Sequence, residues 1–283
     1  MESIDTLNAA REGNYDALIK LGRLLKGNYE FSEEKCVKAA IQEYEITRVV
    51  IPERITVIDD CAFYGCTSLQ SVYLHNSVTR IGECAFYQCY NLQNIHIPAS
   101  VTRIGDSAFL SCSSLQSLVI SSGAKGLTFI GEEAFRGCRG LKSVVLSGNI
   151  IRIENETFSG CYSLQSIILP ESLCFIGENA FFMCESLQYL VIPNTVEVIC
   201  DSAFSNCRSL ESIKLSDNLE ELGSMAFSMC FSLKHIVLPE SLEEIGDLIF
   251  MHCKNLQSIL LPEYINLDKL SIWNKENCDI KFY

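Results

Sequence analysis

Nine cysteines stand three residues after a phenylalanine: Cys66, Cys89, Cys112, Cys138, Cys161, Cys184, Cys207, Cys230 and Cys253. Sulfur in that number could act as nucleophile, metal ligand or disulfide, and spacing decides among them. A nucleophilic thiol needs a neighbouring base, yet the four histidines, His75, His96, His235 and His252, are scattered along the chain. Zinc needs four ligands converging at about 2.3 Å. Cys61 and Cys66 with Cys84 and Cys89 offer four sulfurs, but Cys61 lies two residues before Phe63 and Cys66 three after it, so the two sets should point differently. Disulfides between equivalent positions would need torsions that parallel side chains supply poorly. A column of small, buried, reduced thiols remains. No catalytic residue, metal or cofactor is expected. The other six cysteines are Cys61 and Cys84, sharing one column, and the single Cys36, Cys174, Cys200 and Cys278.

The elements that must position this column are set by a period. Phe63, Phe86, Phe109, Phe135, Phe158, Phe181, Phe204, Phe227 and Phe250 follow one another by 23 residues, apart from a single step of 26. The long step coincides with the extra "SSGAKG" before Leu127, which reads as a loop insertion. Three residues beyond each cysteine stands a leucine, Leu69 to Leu256, and five before each phenylalanine an isoleucine or leucine, Ile58 to Ile245. Each repeat therefore presents the same apolar residues, and repeats of this length cannot bury them singly.

Within a repeat, "LQSVYL" (69–74) ends in period-2 alternation that predicts a short strand with Val72 and Leu74 on one side and Tyr73 on the other. All six prolines, Pro52, Pro98, Pro170, Pro193, Pro239 and Pro262, fall just behind that strand, where a missing N–H ends ladder pairing. "VTRIGECAF" (78–86) adds a second extended piece, a glycine turn and a helical turn that puts Phe86 and Cys89 on one face. Each repeat is thus one coil, and stacked coils form a parallel sheet over a continuous core.

These residues resemble the BspA-like (Treponema-type) leucine-rich repeats; "LPESLCFIGENAFFMCESLQYLV" (169–191) and "LPESLEEIGDLIFMHCKNLQSIL" (238–260) match that pattern nearly throughout. The resemblance implies an α/β repeat fold: a right-handed, curved solenoid with a parallel sheet on its concave side and short helical turns on its convex side. It also implies a protein-binding role, and some relatives are surface adhesins. Departures are local. Thr157 and Ile249 replace the alanine, and Asp59, Glu154 and Cys200 replace the glycine after the isoleucine column.

Outside the repeats, residues 1–46 read as a helical N-terminal cap. Leu7, Ala10, Tyr15, Leu18, Leu21 and Leu25 have near-helical spacing, Gly13 and Gly27 are breaks, and Ser32 is an N-cap candidate for a further helix. The helical stretch also resembles, weakly, one Sel-type hairpin. Nine repeats occupy residues 47–262. A C-terminal cap over 263–283, keeping Leu267, Leu270, Ile272 and Trp273, should close the last rung.

A formal charge of −13 with no basic cluster argues against nucleic acid. The opening residues do not read as a secretory signal, and no apolar run reaches membrane-spanning length. A cytoplasmic monomer is expected, with display at the cell surface as the alternative. Recurrent carboxylates such as Asp60, Glu83, Asp106 and Asp201 are expected to stabilise helix N-termini. The column Val57, Arg80, Arg103, Phe129, Arg152, Phe175, Val198, Glu221, Glu244 runs from basic to acidic and reads as a solvated face.

The strongest binding candidates point outward from the strands: Tyr73, His96, Val119, Val145, Ile168, Val191, Lys214, Val237 and Leu260, with Tyr189 and His235 beside them. β-branched residues suit strands whatever their exposure, but a continuous apolar strip also marks a docking surface. The expected function is therefore protein–protein interaction through the concave sheet, without catalysis; the alternative is an adhesin binding host protein or glycan.

Overall fold

A computed structural model describes residues 4–25, 33–120, 126–272, 276 and 278–283. Strands of three residues recur at Arg48–Val50, Ser71–Tyr73, Asn94–His96 and onward to His235–Val237, followed by Ser258–Leu261. They pair in parallel with equivalent positions in register, Ser71 beside Asn94 and Val144 beside Ile167. Two-residue strands from Val57–Ile58 to Glu244–Ile245 pair in parallel on another side of each coil, in one sheet of four strands and one of five. A parallel-strand solenoid of about ten turns results. Across the insertion itself the coils stay paired, Arg103 beside Phe129 and Val119 beside Val145, with the Thr128 amide donating to the Thr102 carbonyl at 3.0 Å; residues 121–125 lie outside the described residues.

Where the spacing predicts a helical turn, the chain makes linked three-residue turns instead. In the first repeat the amides of Ala62, Tyr64, Cys66 and Leu69 donate to carbonyls three residues back. Two positions per repeat are left-handed: Cys61, Cys84, Ser107 and their equivalents as far as Leu248 have φ of 51 to 60°, and Gly65, Gln88, Ser111 and theirs as far as His252 have φ of 57 to 71°. Left-handed residues cannot propagate an α-helix, so the side chains turn inward without one. The turns are themselves laddered: Phe63 donates to the Ala85 carbonyl at 2.7 Å and Gly65 to the Tyr87 carbonyl at 2.8 Å. Every side of the coil is therefore hydrogen-bonded to the next coil.

Inside, the phenylalanines stack nearly parallel, with ring centroids 5.1 Å apart at Phe63–Phe86 and 6.0 Å at Phe227–Phe250. Each thiol beyond the first donates to the phenylalanine carbonyl of the preceding rung, from Cys89 onto Phe63 at 3.1 Å to Cys253 onto Phe227 at 3.0 Å. The cysteine is thus the small side chain that also satisfies a buried carbonyl, and sulfur's reach suits the rung separation.

The carboxylates have a different role from the one expected. With no helix there to cap, Asp60 Oδ1 accepts from the Glu83 amide at 2.9 Å and Asp106 Oδ1 from Glu132 at 3.1 Å, and the side-chain amide oxygen of Asn155 does the same for Glu178 at 2.9 Å. These short side chains reach along the stack to the next coil, and the residue just before each donor amide, against which they lie, is glycine: Gly82, Gly131, Gly177. Where that position is Glu154 or Cys200, the residue at the place of the Asp or Asn on the preceding coil is a glutamate, Glu132 or Glu178. A Cβ on Gly131 would lie 2.6 Å from the Asp106 amide nitrogen and against its carboxylate. Gly131→Ala should therefore cost about 1–3 kcal/mol by denaturant unfolding. Because backbone as well as carboxylate is in the way, adding Asp106→Ala should not rescue it; full rescue would show that the side chain alone forbids a Cβ.

At the N-terminus, α1 (Ile4–Arg11), α2 (Tyr15–Leu25) and α3 (Glu33–Tyr44) pack on the first coil. Ala10, Leu18, Val37 and Ile41 are fully buried in the same core as Val49 and Leu69. Gly13 ends α1 with φ of +87°, and its carbonyl accepts from Val50 at 2.9 Å. A Cβ there would meet the Arg48 carbonyl oxygen at 3.0 Å, so the break needs glycine twice over. Gly27 and Ser32 lie outside the described residues, as do the side chains of Leu21 and Leu25.

The C-terminal segment does more than close the last rung. Asp279–Phe282 joins the ladder as one further parallel strand, Ile280 beside Ile259 and Lys281 beside Leu260. Leu270 is buried, while Trp273 lies outside the described residues.

Candidate functional site

The long-strand face carries three outward columns. The first is mostly glutamine, with Gln70, Gln93, Gln165 and Gln188 exposed. The second is mostly serine; the third is the apolar column. Alternation and parallel register place Val145 beside Val119 and Ile168, Tyr73 beside His96, Val191 beside Lys214, and Val237 beside Leu260. The apolar side chains stand out into solvent: Val145 is 36% exposed, Tyr73 50%, Val237 53%, Tyr189 58%, Ile168 62% and Val191 65%. His96, Lys214 and His235 are also exposed, Leu260 is half-buried, and the side chain of Val119 lies outside the described ones. All the outward candidates therefore share one face, with Tyr189 and His235 in the second column.

Two shallow cavities mark that face. One of about 400 Å³ is lined by Ile168, Tyr189, Val191, Pro193 and Lys214 among others. The other, of about 610 Å³, is lined by Lys214, Asp217, His235, Val237, Glu240 and Tyr283 among others. His235 Nδ1 and Ser258 Oγ are 2.8 Å apart across neighbouring rungs. Tyr283, whose hydroxyl donates to the Leu238 carbonyl, was not a candidate from sequence. The alternation in "DIKF" (279–282) just before it is the signal that places it beside the sheet.

Charge on this face is sparse and partly paired, with Lys234 held to Glu211 at 2.7 Å. The arginine column of the short-strand ladder is occupied internally: the Arg103 guanidinium lies 3.8 Å over the Phe129 ring and Arg152 3.5 Å over Phe175, while Arg80 pairs with Asp60 at 3.0 Å. Glu221 and Glu244 stand side by side and exposed further along.

The thiols separate as expected. Cys66 and Cys89 are buried, Cys61 is exposed and Cys84 half-buried. Burial pushes the Cys66, Cys161, Cys207 and Cys253 thiols up to about 12, and raises Cys138, Cys184 and Cys230 well above the ordinary thiol value. Such thiols stay protonated and are poor nucleophiles. Among the described residues, no three or more His, Cys, Asp or Glu side chains gather as a metal site. No helix there is long and apolar enough to cross a membrane.

Comparison with known proteins gives a consistent answer. The model of the BspA type leucine rich repeat region matches in six copies, over residues 36–163, 128–257 and 175–282. No curated protein matches the chain. Among solved structures, the chain is similar to the T. pallidum leucine rich repeat protein, at 30% identity over 66% of this chain and 77% of that one, with a TM-score of 0.48. It is also similar to a leucine rich cell surface protein of Faecalibacterium prausnitzii, at 25% identity over 84% of this chain and 79% of that one, TM-score 0.40. A leucine-rich repeat protein of Bacteroides ovatus matches at 24% identity over 84% of each chain, TM-score 0.38.

Proposed function

Since the chain belongs to the BspA-type leucine-rich repeat family, we propose that it is a protein-interaction module that docks its partner on the long-strand face and performs no catalysis. Repeats of this family are typically protein-interacting or adhesin-like. The observation that carries the reading is the exposed apolar row of Val145, Ile168, Val191 and Val237, flanked by Tyr189 and by uncharged glutamines and serines. On a chain of net charge −13, a face this poor in charge is suited to a partner of low charge held by apolar anchors. Division into a helical cap over 1–46, repeats over 47–262 and a closing segment over 263–283 belongs to the same proposal.

Val145→Glu with Ile168→Glu puts two carboxylates in the middle of the row. Partners captured by the native protein should be lost from the variant in quantitative affinity capture, while the melting temperature stays nearly unchanged, because neither side chain belongs to the buried core. Equal capture by the two proteins would move the docking surface off this face.

A further inference from the structure

The long-strand sheet is finished differently at its two ends. At the first coil the edge is covered, with Val50 donating to the Gly13 carbonyl at 2.9 Å and Asn14 bridged to Val50. At the last coil Leu267–Leu270 closes the turn side: Phe250 donates to the Leu270 carbonyl at 2.9 Å, and Lys269 Nζ to the Ile245 carbonyl at 2.8 Å. The long-strand side ends on Asp279–Phe282, an edge strand that pairs only with Ser258–Leu261 among the described residues. The Asp279 amide donates to the Gln257 carbonyl at 2.7 Å and the Tyr283 amide to the Leu261 carbonyl at 3.3 Å. The alternate residues, Ile280 and Phe282, therefore point their amides and carbonyls at the open edge. Their side chains lie on the core side, beside the buried Ile259 and Leu261, yet Ile280 is only half-buried and Phe282 is 46% exposed. An inward-facing apolar row is thus left partly bare where a further strand would cover it.

From this edge we infer that two copies of the chain join end to end, Asp279–Phe282 of one pairing antiparallel with the same strand of the other about a two-fold axis. Such a contact uses one patch twice and must match itself. Because only Ile280 and Phe282 face the edge, three registers are open. Ile280 opposite Phe282 sets Lys281 against Lys281 of the second copy, and like charges directly opposed are destabilising. Phe282 opposite Phe282 sets Lys281 against Tyr283 and gains no ion pair. Ile280 opposite Ile280 sets Asp279 against Lys281 of the second copy and Lys281 against its Asp279, two complementary pairs. In that register Ile280 lies beside its own counterpart and Phe282 beside Cys278, so the bare apolar row is covered. Within each copy Lys281 and Asp279 pair at 2.7 Å, which leaves the edge without net charge on a chain whose overall −13 otherwise keeps copies apart. Directly opposed residues point to the same side of a sheet, so the pairing also sets the two long-strand faces side by side.

The experiment is sedimentation equilibrium of the full-length protein in reductant at physiological ionic strength, from micromolar to submillimolar concentration. The mass should rise from one chain to two and stop there. Lys281→Asp and Asp279→Lys each set like charges against each other, and each should weaken association by about tenfold or more. Both side chains are exposed, so the melting temperatures should match that of the native protein. A mixture of the two variants should associate one to one, since one then carries Asp and the other Lys at both positions. Neither variant has its internal ion pair, so recovery in the mixture reports contact between chains and not a repaired fold. A native protein of single-chain mass at every concentration would overturn the pairing and leave the edge to a strand of another protein. Association untouched by either substitution, a mixture that stays apart, or growth beyond two chains would overturn it as well.

Discussion

Raising the pH from 8 to 10 is expected to unfold this protein in a steep alkaline transition. The cause is the nine thiols of the phenylalanine–cysteine repeat, each buried and held protonated, several with pKa values pushed to about 12. In an unfolded chain a thiol ionises near 8.5. Below that value both states carry the proton and the full stability of the fold is present. Between the unfolded and folded values only the unfolded chain loses protons, so stability falls as pH rises, by about 1.4 kcal/mol per pH unit for each thiol. Nine together remove on the order of 10 kcal/mol per unit, comparable with the whole stability of an ordinary domain. Circular dichroism from pH 7 to 11 in reductant at constant ionic strength should show the loss begin just above pH 8.5.

Serine at Cys161, Cys184 and Cys207 keeps a hydroxyl facing the same carbonyls but does not ionise in this range, so that variant should show about a third less pH dependence. A thiol reagent gives a second readout. At neutral pH it should label the accessible Cys61, Cys84, Cys174 and Cys200, and above the transition all fifteen. A fold that persists through pH 10.5, or full labelling of the native protein at pH 7, would show that the column is not the dry, protonated interior described above.

The second large effect belongs to the aromatic stack. Phe158 is wholly buried, with Phe135 at 5.6 Å on one side and Phe181 at 5.5 Å on the other, and its carbonyl accepts from the Cys184 thiol at 3.3 Å. Phe158→Ala should cost about 3–5 kcal/mol in denaturant unfolding, since the rungs are tied by ladders on every side and cannot close over the void. Stability in a solenoid is carried by contacts between neighbouring coils, so a weakened coil in the middle should also let the two halves unfold at separate midpoints. A loss under 1 kcal/mol with a single transition would mean that the stack relaxes to refill the cavity.

Much of this was legible before any coordinates. The recurrence of Phe63, Cys66 and Leu69 every 23 residues gave the stacking, and the alternation in "LQSVYL" gave the inward Val72 and the outward Tyr73. Burial of the thiol column follows from the same period, because stacked coils bring like residues over like. The candidate face was legible for the same reason, one strand column at a time.

What a linear pattern encodes poorly is backbone conformation and contact between coils. The left-handed residues hold cysteine, serine, glutamate, methionine and leucine as well as glycine, so no residue type announced them. The carboxylates read as helix caps by composition, and only the close approach of Asp106 to Gly131 showed that they bind the next coil. The arginine column is exposed as its sequence suggested, but the seating of Arg103 and Arg152 over the Phe129 and Phe175 rings of the next coil depends on contact between coils. Asp279–Phe282 has the alternation of a strand, but pairing with Ser258–Leu261 depends on how the intervening chain turns back.

By itself, then, the order of amino acids determined the repeating coil, its parallel register and which side chains face the interior, since a fixed period imposes those on any chain that stacks. Tertiary structure alone decided which carbonyl each thiol reaches and where the backbone turns left-handed. Those depend on the distance between one coil and the next, which is set by the packing of the whole stack.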